Sequence, residues 1–179
     1  FAHQVLTAPS NRMVTLVARG NDDERGKAED PGAIKTFSFD NGVLRNLASI
    51  APGTGLGFGP RHLDFHPTKP WVFVSIERQN KLYVYALESV SGLKREPLFV
   101  KDTLSKMPAM RQAAGAIHVH PSGKFVYVTN RASDRSSFNG KPAIVGGQND
   151  VAVFSIDQAT GEPTLIQNAD GHTVELRTF

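Results

Sequence analysis

Four residues combine the types and the spacing that chemistry needs: His3, Arg61, Glu77 and Arg131. Each stands at a fixed distance from a proline. Pro9, Pro67 and Pro121 close three similar stretches, which contain Ala2-His3-Gln4-Val5, Gly59-Pro60-Arg61-His62 and Ala116-Ile117-His118-Val119. Ten residues after these prolines come Arg19, Glu77 and Arg131, and six residues before the first two come His3 and Arg61. Equivalent positions of a repeat point to equivalent places. A purely structural repeat would fill them with small or apolar residues, so ionisable side chains there mark an active surface. A Glu or a His can hold a proton at reachable pH and act as a general base. Two guanidiniums can stabilise an oxyanion or grip a carboxylate or phosphate. The competing reading is an ion-pair network between repeats that sets their geometry, with His3 a satisfied strand histidine.

The elements that must position these residues follow from the same repeat. The prolines are 58 and 54 residues apart, a period that points to a repeat architecture. In the first repeat, residues 5–7 and 13–18 read as strands around the turn Pro9-Ser10-Asn11-Arg12. A polar segment, 20–31, reads as a solvated loop. Residues 33–39 alternate apolar and polar, Asp40-Asn41-Gly42 signals a hairpin, and 43–51 form a fourth strand. The second repeat has strands at the Pro60 stretch, 71–76, 81–87 and around 98–100, with a turn at Ser89-Val90-Ser91-Gly92. Pro108 argues against a long helix in the connection 101–115. The third has strands at 117–119, 124–129, 150–156 and 163–166, with an insertion at 132–149.

Four antiparallel strands, repeated, describe propeller blades. The expected fold is all-β: a partial β-propeller of about three blades (1–52, 59–104 and 115–168), with 172–179 opening a fourth. Three blades make an arc whose outer faces expose Val, Phe and Leu. The remainder of a propeller, or self-association, is expected to cover them. Gly53-Thr54-Gly55-Leu56-Gly57-Phe58-Gly59 invites a phosphate-loop reading but fails the dinucleotide pattern at Phe58 and Pro60, and no helix follows. It reads as a flexible connection between repeats.

Composition narrows the function classes. Of 179 residues, 40% are hydrophobic and 21% charged, as in globular proteins, and no apolar run approaches a membrane span. The net charge of +3 comes from scattered Lys and Arg, so neither nucleic acid nor membrane is expected as a partner. The absence of Cys removes disulfides, thiolate chemistry and Cys-ligated zinc. His118-x-His120 and His62-x3-His66 lack a third ligand, so no metal and no other cofactor is expected. His66 and His120 precede their prolines and read as turn residues. His62 and His118 read as backbone partners between blades, and otherwise as substrate contacts. The expected compartment is the cytoplasm, with the periplasm as alternative.

Several of these stretches carry a resemblance. Ala2-His3-Gln4-Val5, Gly59-Pro60-Arg61-His62 with Phe65-His66-Pro67, Glu77, and Ile117-His118-Val119 with Pro121-Ser122-Gly123-Lys124-Phe125-Val126-Tyr127-Val128-Thr129-Asn130-Arg131 resemble the seven-bladed lactonase propellers. That family includes a bacterial 6-phosphogluconolactonase and the fungal carboxy-cis,cis-muconate cyclase. The resemblance implies a middle portion of a protein about twice as long. The cyclase's His, two Arg and Glu at the tunnel mouth fall on His3, Arg61, Arg131 and Glu77, in agreement with the register. The chain departs from the pattern at Val17-Ala18-Arg19-Gly20, where relatives usually carry Pro-Asp-Leu-Gly, which leaves the substrate contacts of that blade open. The implied activity is hydrolysis of a small anionic sugar lactone. Glu77 or His3 would serve as base, and Arg61 and Arg131 as oxyanion stabilisers and substrate grips, joined by His62 and His118 as substrate contacts. The alternatives are a muconate-lactonising isomerase and a non-catalytic binding scaffold.

Overall fold

The computed structural model describes residues 1–179 except 25, 89–91, 107–110, 133 and 145. The expected turn at Ser89-Val90-Ser91 and the helix-breaking Pro108 lie outside the described residues. Among the described residues, no helix is long and apolar enough to cross a membrane.

Among the described residues the chain forms three antiparallel blade sheets in sequence order and one separate two-stranded hairpin. β1 (Ala2–Thr7), β2 (Met13–Ala18), β3 (Ala33–Asp40) and β4 (Val43–Ile50) form the first. β5 (Pro60–Phe65), β6 (Trp71–Ile76) and β7 (Lys81–Glu88) form the second, with both β8 (Gly92–Leu93) and β9 (Phe99–Asp102) paired to β7. In the third, β10 (Gln112–Val119) and β11 (Phe125–Ala132) are followed by a separate hairpin, β12 (Arg135–Phe138) and β13 (Lys141–Ile144), before β14 (Asp150–Ile156) and β15 (Pro163–Asp170) complete the sheet.

The blades pack face to face through β6. All six of its residues are buried. Val72, Val74 and Ile76 join Val17, Ile34 and Leu63 in the core between the first two blades. Trp71 and Phe73 join Val84, Ile117 and Phe154 in the core between the second and third. A strand with both faces buried reads as a continuous apolar run, as Trp71-Val72-Phe73-Val74 does. The outward faces keep apolar side chains exposed, among them Val5, Val43 and Leu44 on the first blade and Ile166 on the third.

Neighbouring inner strands are stitched by side chains. Leu63 N–H donates to Gln4 Oε1 at 2.6 Å, and Val119 N–H to Asp64 Oδ2 at 2.8 Å. A sheet edge that would otherwise stay unpaired is thereby satisfied. His66 links two turns: its Nδ1 accepts from Lys69 N–H at 2.9 Å, while Nε2–H donates to Gly123 O at 3.0 Å. A Cβ on Gly123 would come within 2.4 Å of that ring, so the contact needs glycine. His120 Nδ1 likewise accepts from Ser122 N–H at 3.1 Å. Both histidines are turn residues, as their place before proline suggested.

Four segments differ from expectation. Residues 20–31 are not merely solvated, because Asp22 and Glu29 form ion pairs with arginines of other segments. Residues 53–59 are packed: Phe58 is buried, and Gly57 O accepts from Gln79 Nε2 at 3.1 Å. β10 starts at Gln112, five residues early, because its small residues Ala113, Ala114 and Ala116 pack closely against the second blade. Residues 172–179, expected to open a fourth blade, form no strand: a strand needs a ladder partner, and among the described residues none pairs with them.

Candidate active site

The turn after the inner strand returns the second strand of each blade to the same place. Arg19 N–H donates to Phe1 O and Glu77 N–H to Gly59 O, both at 2.9 Å, while Arg131 pairs with Ala113 across the third blade. Arg19, Glu77 and Arg131 are therefore structurally equivalent, as their spacing from proline predicts. His3 and Arg61 are equivalent for another reason. Each falls at a register shift of its inner strand, between Ala2 and Gln4 and between Pro60 and His62. A bulge re-aims the side chain it carries. The third blade has its shift between Ala114 and Ile117, spanning Gly115 and Ala116, and so presents no ionisable group there.

These positions converge on Glu77. Its Oε2 accepts from Arg19 Nε at 2.5 Å and from Arg61 Nη1 at 3.0 Å, and its Oε1 accepts from Arg131 Nη2. One carboxylate thus gathers three guanidiniums from three blades, with side-chain exposures of only 7–11%. Burial alone would raise the Glu77 carboxyl, but Arg61, Arg19 and Arg131 outweigh it and hold the group below its ordinary value. Arg131 is lowered, chiefly by burial. Arg19 was legible in the register, yet sequence reasoning left it out of the site because the first blade departs from the family pattern.

His3 belongs to the same cluster. Its ring meets His62 edge-on at 4.7 Å between centroids, and its Nδ1 is buried without a hydrogen-bond partner. Burial, then Arg61 and His62, lower its pKa from 6.5 to about 4. His62 donates from Nδ1 to Gly115 O at 3.2 Å, so in the neutral ring the lone pair is on Nε2. Its pKa is also lowered, mainly by burial. This is the backbone link between blades expected for it. His118 does not join: it is half exposed, 3.9 Å from Asp64 and edge-on to Phe179.

Glu77 opens onto a cavity of about 280 Å³, whose wall also carries Glu175 and six arginines at 19, 78, 111, 131, 135 and 177. The insertion hairpin contributes Arg135, which, like Arg177, pairs with Glu175. Six guanidiniums against two carboxylates make the wall cationic. Arg61 Nε and Arg131 Nε are buried donors without partners. Such groups are costly unless something accepts from them; of the two, Arg131 lines the cavity, whereas Arg61, like His3, does not.

Protonation gives a first prediction. A neutral His3 is required of any reaction in which its ring accepts a proton, and its folded pKa is near 4. The acid limb of kcat/KM is therefore expected well below 6.5, close to pH 4. Stability has the same sign. The unfolded chain takes up a proton on His3 near pH 6.5 and the folded chain does not until about 4, so stability falls as pH drops through that window. A pH–rate profile with its acid limb at 6.5 would contradict this environment.

Comparison with known proteins agrees with the fold. The family described as "Lactonase, 7-bladed beta-propeller" matches residues 1–179. The chain is 31% identical to 6-phosphogluconolactonase of Bacillus subtilis, over 92% of this chain and 39% of that protein. It is 37% identical to 6-phosphogluconolactonase of Pectobacterium carotovorum, over 73% of this chain and 36% of that protein. The chain thus spans about two fifths of the length of these two relatives. Among solved structures, the periplasmic gluconolactonase of Pseudomonas aeruginosa superposes with a TM-score of 0.74 at 20% identity, over 97% of this chain and 42% of that one. With the match running from the first residue to the last, the chain belongs to the lactonase family of seven-bladed β-propellers.

Proposed function

We propose that the arginine-lined cavity at Glu77 binds a small anionic sugar lactone and promotes its hydrolysis. The observation that carries this reading is the capture of one buried carboxylate by three arginines from three blades, at the wall of a cationic cavity sized for one sugar acid. Relatives named 6-phosphogluconolactonase support it.

The residues take distinct roles. Glu77, with both oxygens accepting from arginines, serves to orient the guanidiniums. His3 is a weak base, with a pKa of about 4, but it is neutral at pH 7 and its Nδ1 has no partner among the described residues, so it is the group with a lone pair free to take a proton from water. The water oxygen bonds to the lactone carbonyl carbon while its proton passes to His3. Arg131, on the cavity wall, stabilises the resulting oxyanion through its unpartnered Nε–H, and Arg61 adds its positive charge from beside Glu77. The ring C–O bond then breaks, the ring oxygen takes the proton back, and a sugar acid leaves. The active unit is a closed ring to which this chain contributes three blades.

The test uses the whole protein that carries these blades. Acid release from 6-phosphogluconolactone and from unphosphorylated gluconolactone is followed at constant pH and corrected for spontaneous hydrolysis. The expected result is saturable hydrolysis, faster for the phosphorylated substrate and weakened by salt. A rate equal to the spontaneous one overturns the reading. Lactone formation from a muconate-type diacid without hydrolysis would replace it with the cyclase.

A further inference from the structure

The composition of residues 20–31 suggests a solvated loop, but Asp22 within it occupies the centre of a second charge cluster that shares one arginine with the first. Arg19 spans the two. Its Nε donates to Glu77 Oε2 at 2.5 Å, its Nη2 to Asp22 Oδ2 at 2.9 Å, and its Nη1 to Gly20 O at 3.2 Å. With a partner on all three nitrogens, the guanidinium has one orientation. The two other arginines on Asp22 come from different blades. Arg78 Nε is 2.8 Å from Oδ1, and Arg111 Nη2 is 3.2 Å from Oδ2.

The segment that carries Asp22 is held in place independently. Gly20 has φ of +75°, and a Cβ there would lie 2.3 Å from Asp30 O, so the chain turns where only glycine fits. Asn21 Nδ2 donates to Asp30 Oδ2 at 2.7 Å, closing the neck of the loop. Glu29 pairs with Arg78 and accepts from Gly57 N–H at 2.6 Å. Arg78 is thus held from both ends of the loop, one residue from Glu77. Burial alone would raise the Asp22 carboxyl, but Arg19, Arg78 and Arg111 hold it below its ordinary value, so it is ionised across the working range.

We infer that Asp22 is a positioning and specificity-setting residue of the Glu77 cavity: it fixes the guanidinium of Arg19 against Glu77 and neutralises the arginines at the rim. The inference rests on the lactonase reading for its kinetics but not for its charge. The two effects move kinetic constants in different directions. Losing the Asp22 charge frees Arg19 from one of its two carboxylates, which slows turnover. It also leaves Arg78 and Arg111 without that counter-charge, which strengthens the attraction for anions.

The experiment compares Asp22→Asn and Asp22→Glu with the parent, in the whole protein. Asn keeps the shape and removes the charge; Glu keeps the charge and displaces it by one methylene. For Asp22→Asn, kcat on an anionic lactone is expected to fall roughly tenfold through misplacement of Arg19. KM is expected to fall about threefold, as is Kd for inorganic phosphate by calorimetry, because the rim gains net positive charge. Asp22→Glu is expected to restore KM and Kd but not the whole of kcat. Opposite movement of turnover and binding is something a merely structural residue does not produce. Any other pattern, including unchanged constants or a raised KM, overturns the inference. If the parent hydrolyses no lactone, only the proposed function fails. The phosphate titration then decides: tighter binding in Asp22→Asn supports the charge role of Asp22, and unchanged or weaker binding overturns it.

Discussion

Glu77→Gln is expected to reduce lactone turnover by about two to three orders of magnitude, the scale reached when one preorganised electrostatic group is removed from an active site. Gln keeps the shape but not the charge that gathers Arg19, Arg61 and Arg131. Three nearly buried guanidiniums then face one another without their shared anion. Mutual repulsion swings them from the positions where they would meet an oxyanion. Stability falls too, by about 3 kcal/mol, because breaking a buried ion pair leaves uncompensated charge. Glu77→Asp keeps the charge but cannot reach all three partners, so its activity should lie between the two. Steady-state kinetics with chemical denaturation on the three proteins checks both effects. Full turnover in Glu77→Gln would mean that the cluster only holds the blades together.

Arg131→Ala separates catalysis from that structural role. Arg131 donates to Glu77 Oε1, while Arg19 and Arg61 share Oε2. Removing Arg131 leaves Glu77 with two cations, and it deletes a guanidinium that burial already disfavours. The expected stability cost is therefore smaller than for Glu77→Gln. Turnover is nevertheless expected to fall about a hundredfold on the proposed mechanism, because the buried Arg131 Nε, its donor for the oxyanion, goes with it. Arg131→Lys should recover little, since an ammonium cannot bond Glu77 and the substrate through two fixed donors. With one positive charge fewer, the Glu77 carboxyl rises toward its ordinary value, and its titration moves to higher pH. A variant that loses stability in step with activity would place Arg131 in the scaffold alone.

Much of this molecule was legible from local pattern. Strands are written in period-two alternation and bounded by turn residues, both of which a short stretch carries whole. Three repeats of the same turn therefore placed Arg19, Glu77 and Arg131 in equivalent positions before any packing was known. The turn roles of His66 and His120 follow from the proline beside each. The hairpin at β12 and β13 was missed because Gly, Pro and Ser in the insertion mimic loop composition.

The blade, its repetition and the set of ionisable positions can be read along the chain, because these depend on neighbours a few residues away. Which of those positions meet is set by how the blades pack. Arg19 and Glu77 are 58 residues apart, Arg131 and Glu77 54, and Arg111 and Asp22 89. Such contacts depend on how far each blade is rotated from the last and on where a bulge turns His3 or Arg61. Protonation was decided there too. A histidine with a pKa near 4 and a carboxylate held below its ordinary value owe their states to desolvation and to arginines from other blades, and neither is written in the residues alongside them.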